Sequence, residues 1–195
     1  DIAVFTGGAL RHTAVIPVAG NQVTSDIAKI FRTPLSHAED IKVQYACALK
    51  QLVSMEENID VPSVGGRPDR SMSRHTLSEV VEPRYHELFE LIQEEIRESG
   101  LSDQIAAGFV LTGGTAKMEG VVEFAEEVFQ MPVRIANPLN VEGLKEYVND
   151  PTYATVVGLL HYGMQVSEQG SSGEKNREGV KDLWSRVHAW FKGEF

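Results

Sequence analysis

Two groups of residues in this sequence have the types and spacing that ligand binding requires. Gly113 and Gly114 follow an apolar stretch that is typical of a β-strand, and they precede a segment that is typical of a helix. Glycines at such a junction allow the backbone to approach a flat or anionic ligand, because no Cβ stands in the way. Glu39 and Lys42 lie three positions apart in a predicted helix, so their side chains share one face. A carboxylate accepts hydrogen bonds from hydroxyl groups, and an ammonium supplies donors and charge.

Each of these patterns also has an ordinary structural interpretation. A Gly-Gly pair after a strand is most often a tight turn, and a Glu and a Lys three residues apart often form an exposed ion pair. The sequence contains neither a GxxxxGK[ST] phosphate loop nor a GxGxxG dinucleotide fingerprint. Its six histidines are scattered and its single cysteine is Cys47, so we expect no structural metal site and no internal disulfide. Taken alone, these residues leave the function open.

Residues 180–195 have the pattern of a helix that lies on a membrane surface. Their apolar side chains recur at helical spacing along one side, and basic side chains lie round the other. The apolar side consists of Val180, Leu183, Trp184, Val187, Trp190 and Phe191, and the basic residues are Lys181, Arg186 and Lys192. Residues 167–179 contain no apolar side chain and three glycines, which predicts a flexible linker. The alternative is an ordinary amphipathic helix that packs on its own domain.

Composition sets limits on the possible function. The chain has 195 residues, 42% of them hydrophobic, which is enough for a substantial core. A formal net charge of −10 argues against nucleic acid as the main partner, because phosphate binding requires a basic face. Residues 67–86 nevertheless contain a local surplus of basic side chains. This stretch is either a solvated loop with scattered arginines or a docking site for an acidic peptide.

Strands and helices alternate in the last third of the chain, and these elements would position the candidate residues in an α/β fold. The N-terminal residues predict a β-hairpin that turns at Gly7-Gly8. Capping boxes at Ser36–Glu39 and Thr76–Glu79 open two predicted helices, and Pro83 is expected to kink or restart the second one. The predicted helices are 23–31, 36–53, 76–99, 118–130 and 152–163, and the predicted strands include 59–61, 108–112 and 132–136.

The residues from Val110 to Gly120, Val-Leu-Thr-Gly-Gly-Thr-Ala-Lys-Met-Glu-Gly, resemble the adenosine motif of the superfamily that contains actin, Hsp70 and sugar kinases. Three further matches come in the proper order. Asp1–Gly8 is similar to the strand that follows the second phosphate loop. Glu39–Lys42 is similar to the helix that reaches the ribose, and Tyr153–Leu160 is similar to a connecting helix. Within the superfamily, four segments resemble the FtsA family of bacterial actin-like cell-division proteins. These segments are Pro62–Pro68, Glu82–Tyr85, Gly158–Gly163 and Lys192–Phe195.

This resemblance implies an α/β fold: an actin-like ATPase lobe built on a ribonuclease-H-like mixed sheet with flanking helices. An inserted α+β subdomain, a flexible linker and a C-terminal amphipathic helix would complete it. The implied ligand is ATP, with Mg²⁺ in the full-length protein. The residues that the resemblance assigns to ATP are Gly20, Glu39, Lys42, Gly113, Gly114, Lys117 and Met118.

The same resemblance implies that these residues form only one half of a nucleotide site. The lobe with the first phosphate loop and the glycine-rich stretch before Asp1 have no counterpart in this sequence. We therefore expect weak or no ATP binding by these residues alone and no catalytic residue among them. In the full-length protein we expect at most a weak ATPase activity.

The resemblance also implies an organisation and a set of partners. Residues 1–36 and 101–166 would form subdomain 2A, 37–100 subdomain 2B, 167–179 the linker and 180–195 the membrane-targeting helix. Subdomain 2B of this family receives the C-terminal peptide of FtsZ, and the candidate contact residues are Arg70, Arg84, Leu77, Val81 and Leu88. The implied role is a cell-division adaptor that self-associates into filaments and contacts other division proteins. It would hold the FtsZ ring at the inner face of the cytoplasmic membrane, at the division septum.

Two other functions remain open at this point. A small-molecule kinase of the same superfamily would transfer phosphate between its two lobes, but it has no need of an amphipathic tail after a polar linker. A shape-determining actin homologue would bind the membrane without docking FtsZ. Binding of an FtsZ tail peptide would separate the adaptor from both.

Overall fold

The computed structural model describes residues 1–63, 65, 67–141 and 148–170. The chain divides into two compact units, Asp1–Ala154 and a second unit that starts at Thr155. Within the described residues, the strands are β1 (Ile2–Thr6), β2 (Ala9–Ala14), β3 (Asn58–Val61), β4 (Arg70–Ser73), β5 (Phe109–Leu111) and β6 (Val133–Ile135). The α-helices there are α1 (Gly20–Phe31), α2 (Leu35–Tyr45), α3 (Arg74–Glu98), α4 (Val121–Phe129) and α5 (Ala154–Gly170).

The predicted N-terminal hairpin is confirmed. Strands β1 and β2 pair antiparallel, with Thr6 opposite Ala9, so that Gly7 and Gly8 form the two-residue turn. Both glycines have a positive φ, 58° and 76°, which the tight turns of hairpins require and which glycine adopts without strain.

A strand, a helix and a second strand follow one another in the last third of the first unit. Strands β5 and β6 pair in parallel with Phe109 opposite Val133, and α4 connects them. The ring of Phe109 stacks on Phe129 at the end of α4, with 4.0 Å between the ring centroids. The α/β prediction is therefore confirmed for this region. The β1–β2 and β5–β6 pairs, which a single mixed sheet would join, are separate two-stranded sheets here, as is the antiparallel pair β3–β4.

The long helix α3 carries the centre of the core. Its buried stripe contains Leu77, Val81, Tyr85 and Phe89, and the Phe89 ring contacts Tyr85, Phe124 and Phe129 edge-on. Pro83 lies inside this continuous helix, so of the two expected outcomes, a kink or a restart of the helix, the restart is excluded. Proline removes one backbone donor and costs about 3 kcal/mol inside a helix. The burial of the residues on both sides of Pro83 outweighs this cost.

The helix predicted over residues 36–53 is too long by eight residues, because α2 ends at Tyr45. Residues 46–49 instead run extended and buried, and the amide of Ala48 donates to the main-chain oxygen of Glu119 at 2.8 Å. Cys47 forms a parallel bridge with the same Glu119. The apolar side chains at 48 and 49 thus reach the core from an extended segment, which helical periodicity alone does not reveal.

The second unit is described as far as Gly170, where α5 ends. Its helix was expected to stop near residue 163, and the linker was expected to begin at 167. Residues 167–170 are helical, so the first part of that predicted linker continues the helix.

Candidate functional site

A cavity of about 770 Å³ lies within the unit Asp1–Ala154. Its walls come from the start of α1, one side of α2 and the turn that follows β5. Six of the seven residues predicted to contact the ligand line it: Gly20, Glu39, Lys42, Gly114, Lys117 and Met118. These residues are distant in the sequence, and the packing of α1 against α2 brings the first three together.

Gly113, the seventh residue, does not line this cavity but shapes the turn beside it. Its φ of 92° and ψ of 170° belong to a region that is essentially restricted to glycine. Its amide donates to the main-chain oxygen of Pro151 at 2.9 Å. Gly113 therefore fixes the path of the backbone that carries Gly114.

The best-defined polar group of the cavity consists of Lys42, Glu39 and Thr24. The ammonium of Lys42 donates to Oε2 of Glu39 at 2.7 Å and to Oγ1 of Thr24 at 2.9 Å. It also lies 3.3 Å from the main-chain oxygen of Gly20. Burial raises the pKa of Glu39, but hydrogen bonds from Lys42 and Thr24 outweigh it, so the pKa is lower than usual. An ionised acceptor and a charged donor thus stand side by side at the cavity wall.

This arrangement corrects one local prediction. Glu39 was expected to close a capping box with Ser36, but α2 begins at Leu35 and its N-cap residue, Pro34, makes no side-chain cap. The carboxylate of Glu39 is turned to Lys42 instead. Thr24 is buried within α1, which begins at Gly20.

The start of α1 forms the part of the wall next to Lys42. Gly20 is buried, and a Cβ at this position would lie 2.9 Å from Oγ1 of Thr115 and 3.4 Å from Nζ of Lys42. A side chain at position 20 would therefore require the Thr115 hydroxyl to shift where α1 approaches the turn after β5. Ala19, Gly20 and Asn21 all line the cavity, so the positive end of the helix dipole faces into it.

Tyr85, on the buried stripe of α3, also lines the cavity, although it was not among the residues assigned to ATP from the sequence. Its hydroxyl donates to the main-chain oxygen of Thr115 at 3.1 Å. Burial raises the pKa of Tyr85, so the phenol remains a neutral donor at physiological pH. The sequence signal that could have identified Tyr85 is a tyrosine on an otherwise apolar helix face. A buried phenol hydroxyl needs a hydrogen-bond partner, which indicates a polar neighbour.

At the other end of the cavity, Nζ of Lys117 lies 2.6 Å from Oδ2 of Asp150. The other carboxylate oxygen of Asp150 accepts from the amide of Thr152 at 2.9 Å. The hydrogen bond from Lys117, followed by that from Thr152, lowers the pKa of Asp150 to about 2. Asp150 thereby caps the 3-10 turn Pro151–Tyr153.

Comparison with known proteins assigns this architecture to a family. The family model described as cell division protein FtsA matches residues 1–158. The chain belongs to the FtsA family. It is 55% identical to cell division protein FtsA of Pseudomonas aeruginosa and 52% identical to that of Escherichia coli K12. Both alignments cover the whole chain but only 48% and 49% of those relatives, so the chain spans about half of their length.

Solved structures establish the fold as actin-like. MreB 5 of Spiroplasma citri, in structures with AMPPNP and with ADP, aligns with a TM-score of 0.64. The alignment covers 85% of this chain and 50% of that protein, and the sequence identity is 19%. At this identity the likeness concerns the fold alone.

The residues considered for FtsZ binding fall into two groups. Leu77 and Val81 are fully buried in the core, so the prediction that they line a surface groove is wrong for this structure. Helical spacing placed them on an apolar face, but it could not tell which elements cover that face. Leu88 is partly buried against the same core.

Both candidate arginines have partners within the chain. Nε and Nη2 of Arg84 bond to Oδ2 of Asp26 on α1, at 2.8 and 2.7 Å, and Nη1 pairs with Glu87. Arg70 donates to the main-chain oxygen of Phe31. An acidic peptide that bound Arg84 would have to share it with Asp26 or displace that carboxylate.

The nine residues predicted to contact a membrane lie in 180–195, outside the described residues, as do residues 171–179 of the predicted linker. In the part of the chain that the structure describes, no helix has the length and apolar character needed to cross a membrane.

Proposed function

We propose that the cavity binds the adenosine end and the phosphates of ATP, and that this chain supplies one half of the ATP site of an actin-like cell-division adaptor. The observation that supports this most strongly is the convergence of six predicted ATP residues on one cavity, from Gly20 to Met118. Membership of the FtsA family favours this role over a small-molecule kinase or a shape-determining actin homologue.

The chemistry of the lining suits each part of a nucleotide. The carboxylate of Glu39 accepts hydrogen bonds from ribose hydroxyls, and Lys42 beside it supplies donors. The start of α1 at Gly20 offers a helix N-terminus, which favours phosphate. Gly114 and the side chains of Lys117 and Met118 would flank the base. We propose that Mg²⁺ accompanies the phosphates and that hydrolysis, if any, is weak and needs the other half of the site.

Titration of ATP into the complete protein tests this proposal. The complete protein is this chain together with the other half of the sequence that its relatives have. We expect Lys42→Met to weaken ATP binding about tenfold or more, since hydrogen bonds to charged groups contribute about 1.5–3 kcal/mol. Lys29→Met is the matched control, because Lys29 lies on the exposed side of α1 and does not line the cavity. Equal ATP affinity in both variants would refute the proposal that ATP binds in this cavity.

We further propose that residues 37–100 form the subdomain that receives the FtsZ tail peptide, flanked by the two parts of subdomain 2A. The support is the basic surplus in residues 67–86 and the family. After the loss of Leu77 and Val81 as candidates, Arg84, Arg70 and Leu88 remain. Arginine gives directed, charge-assisted hydrogen bonds to carboxylates, so it suits an acidic peptide.

Binding of a synthetic FtsZ tail peptide to the complete protein tests the role of Arg84. We expect Arg84→Glu to weaken binding about tenfold or more, because a charge-assisted pair becomes a repulsive one. Arg97→Glu, on the exposed last turn of the same helix, is the control. Asp26→Asn removes the internal partner of Arg84 and should keep peptide affinity or raise it. If Asp26→Asn lost as much peptide affinity as Arg84→Glu, Arg84 would have a structural role only and would not contact the peptide.

The remaining parts of the adaptor role concern assembly and location. We propose that the complete protein forms actin-like filaments, contacts other division proteins and attaches peripherally to the inner face of the cytoplasmic membrane at the septum. Residues 180–195 would make the attachment, on the strength of their amphipathic pattern. Many weak attachments joined in a filament hold firmly, because each later attachment is intramolecular.

A further inference from the structure

Arg74, the first residue of α3, joins three separate segments of the chain. Its Nε donates to the main-chain oxygen of Tyr45 at the end of α2, at 2.7 Å. Its Nη1 donates to Oε2 of Glu57 at 2.8 Å, and its Nη2 pairs with Glu119. The side chain is only 15% exposed. Every edge of the guanidinium is thus used, in the fork geometry that arginine provides and lysine does not.

Glu119 places one of these contacts at the nucleotide cavity. It follows Met118 directly, and it lines both the 770 Å³ cavity and a neighbouring cavity of about 430 Å³. Its main-chain oxygen is held by the amide of Ala48, at 2.8 Å. The backbone of Glu119 is therefore fixed by the segment after α2, and its carboxylate is directed by Arg74.

Glu57 places the second contact at the β3–β4 hairpin. It immediately precedes β3, and its main-chain oxygen accepts from the amide of Arg74 at 2.8 Å. Arg74 also begins its helix at the residue after β4. The hydrogen bond from Arg74 lowers the pKa of Glu57, as expected for an ionised partner. The hairpin is thus attached to Arg74 through both of its outer ends.

We propose that Arg74 is a positioning residue of the nucleotide cavity that couples the cavity rim at Glu119 to the β3–β4 hairpin. This inference rests on the proposed binding of ATP. A ligand beside Met118 alters the position or charge environment of Glu119, and the shared guanidinium transmits that change to Glu57. The hairpin lies within residues 37–100, so the state of the cavity would reach the surface proposed for FtsZ binding.

Three variants of the complete protein separate the two arms of this contact. Arg74→Lys keeps the charge but replaces the planar fork of three nitrogens, which bond separately to Tyr45, Glu57 and Glu119, by a single ammonium. Glu57→Gln weakens only the arm to the hairpin, and Glu119→Gln weakens only the arm to the cavity. The matched control is Arg97→Lys, which changes an Arg–Glu pair with Glu94 at the far end of the same helix.

Two measurements are made on each variant: ATP affinity by calorimetry, and amide hydrogen exchange of residues 58–61 and 70–73 with and without ATP. In the unmodified protein we expect ATP to slow exchange in the hairpin. Arg74→Lys and Glu119→Gln should weaken ATP binding about fivefold or more and abolish the hairpin response, the scale expected for coupled sites. Glu57→Gln should retain ATP affinity within about twofold and still lose the hairpin response, since only that arm is cut.

The outcomes distinguish this inference from the proposed function. If the unmodified protein fails to bind ATP, both fail together. If it binds ATP and Arg74→Lys binds equally well, or if the hairpin of Glu57→Gln still responds to ATP, the role of Arg74 is refuted and the ATP site stands. A purely structural Arg74 would lower the melting temperature in all three variants and leave the hairpin response of Glu57→Gln intact.

Discussion

Nζ of Lys42 lies 2.7 Å from Oε2 of Glu39, and both residues line the cavity, with Lys42 largely buried and Glu39 half-exposed. The side chain of Lys42 is only 12% exposed. A partly buried ion pair that is also bonded to a threonine hydroxyl holds its geometry better than an exposed one. The i, i+3 spacing therefore serves to present one acceptor and one donor together.

Thr24 should prove essential to this geometry. Thr24→Val keeps the shape of the side chain and removes the hydroxyl that bonds Lys42 and Glu39. We expect the free energy of unfolding to fall by about 1–2 kcal/mol, since the site is buried and its partners lose a hydrogen bond. Urea unfolding of the complete protein measures this loss. Thr24→Ser keeps the hydroxyl and should retain ATP affinity, whereas Thr24→Val should weaken it. Equal ATP affinity in the two variants would contradict a role of the Thr24 hydroxyl in holding Lys42 and Glu39.

Gly108 should tolerate no side chain. Its φ is 87°, and a Cβ there would lie 2.1 Å from the main-chain oxygen of Pro132, which accepts the amide of Phe109. We expect Gly108→Ala to destabilise the protein by about 3 kcal/mol or more, because backbone strain and a clash add together. Gly100→Ala is the control: its φ is 70° but the space around it is open. It should cost about 1–2 kcal/mol, the strain alone. Equal losses of unfolding free energy in the two variants, measured with urea, would show that the backbone at Pro132 shifts to accommodate the added methyl group.

Asp150 should contribute to stability in a defined range of acid pH. Its pKa in the folded protein is about 2, below the ordinary 3.8. A lowered pKa stabilises the folded state fully above the unfolded value, and this stabilisation is lost as the pH falls from about 4 towards 2. Asp150→Asn should therefore lose less stability than the unmodified protein between pH 4 and pH 2. Denaturant titrations at these pH values test this, with Asp60→Asn at an exposed position on β3 as the control. Parallel pH profiles of the unmodified and Asp150→Asn proteins would exclude the contribution.

Membrane attachment should depend on one side of the C-terminal segment. Trp184 and Ser185 are neighbours in the sequence, but the helical pattern places them on opposite sides. Trp184→Glu should reduce co-sedimentation of the complete protein with liposomes about tenfold, because burial of a large apolar side chain contributes about 1.5–3 kcal/mol. Ser185→Glu introduces the same charge and should have little effect. Deletion of residues 180–195 should abolish pelleting, and equal pelleting with and without them would refute the attachment.

Local chemistry made several elements predictable. Gly7 and Gly8 identified the hairpin because its turn requires positive φ. The adenosine motif contains Gly114, Lys117 and Met118, and all three line the cavity. Each of these predictions depends on the conformational preference of a few consecutive residues or on a contiguous motif.

The errors share a different origin. Residues 46–49 fit a helical period but run extended, because Glu119 provides a main-chain partner for Ala48. Pro83 stays within α3 because core packing outweighs the lost hydrogen bond. Leu77 and Val81 were predicted to line a surface groove, but the elements around α3 bury them completely. In each case the deciding contact comes from a distant part of the chain.

The family, the α/β character of the last third and the types of residue that suit a nucleotide can be read from the amino-acid sequence alone. They can, because motifs, turn glycines and hydrophobic periods are local properties. The folded chain was needed to show that Glu39 bonds to Lys42 and Thr24, that Tyr85 faces the cavity and that Arg74 joins Glu57 to Glu119. Those relationships depend on burial and on hydrogen-bond partners up to 45 positions away, and these arise only when the helices pack.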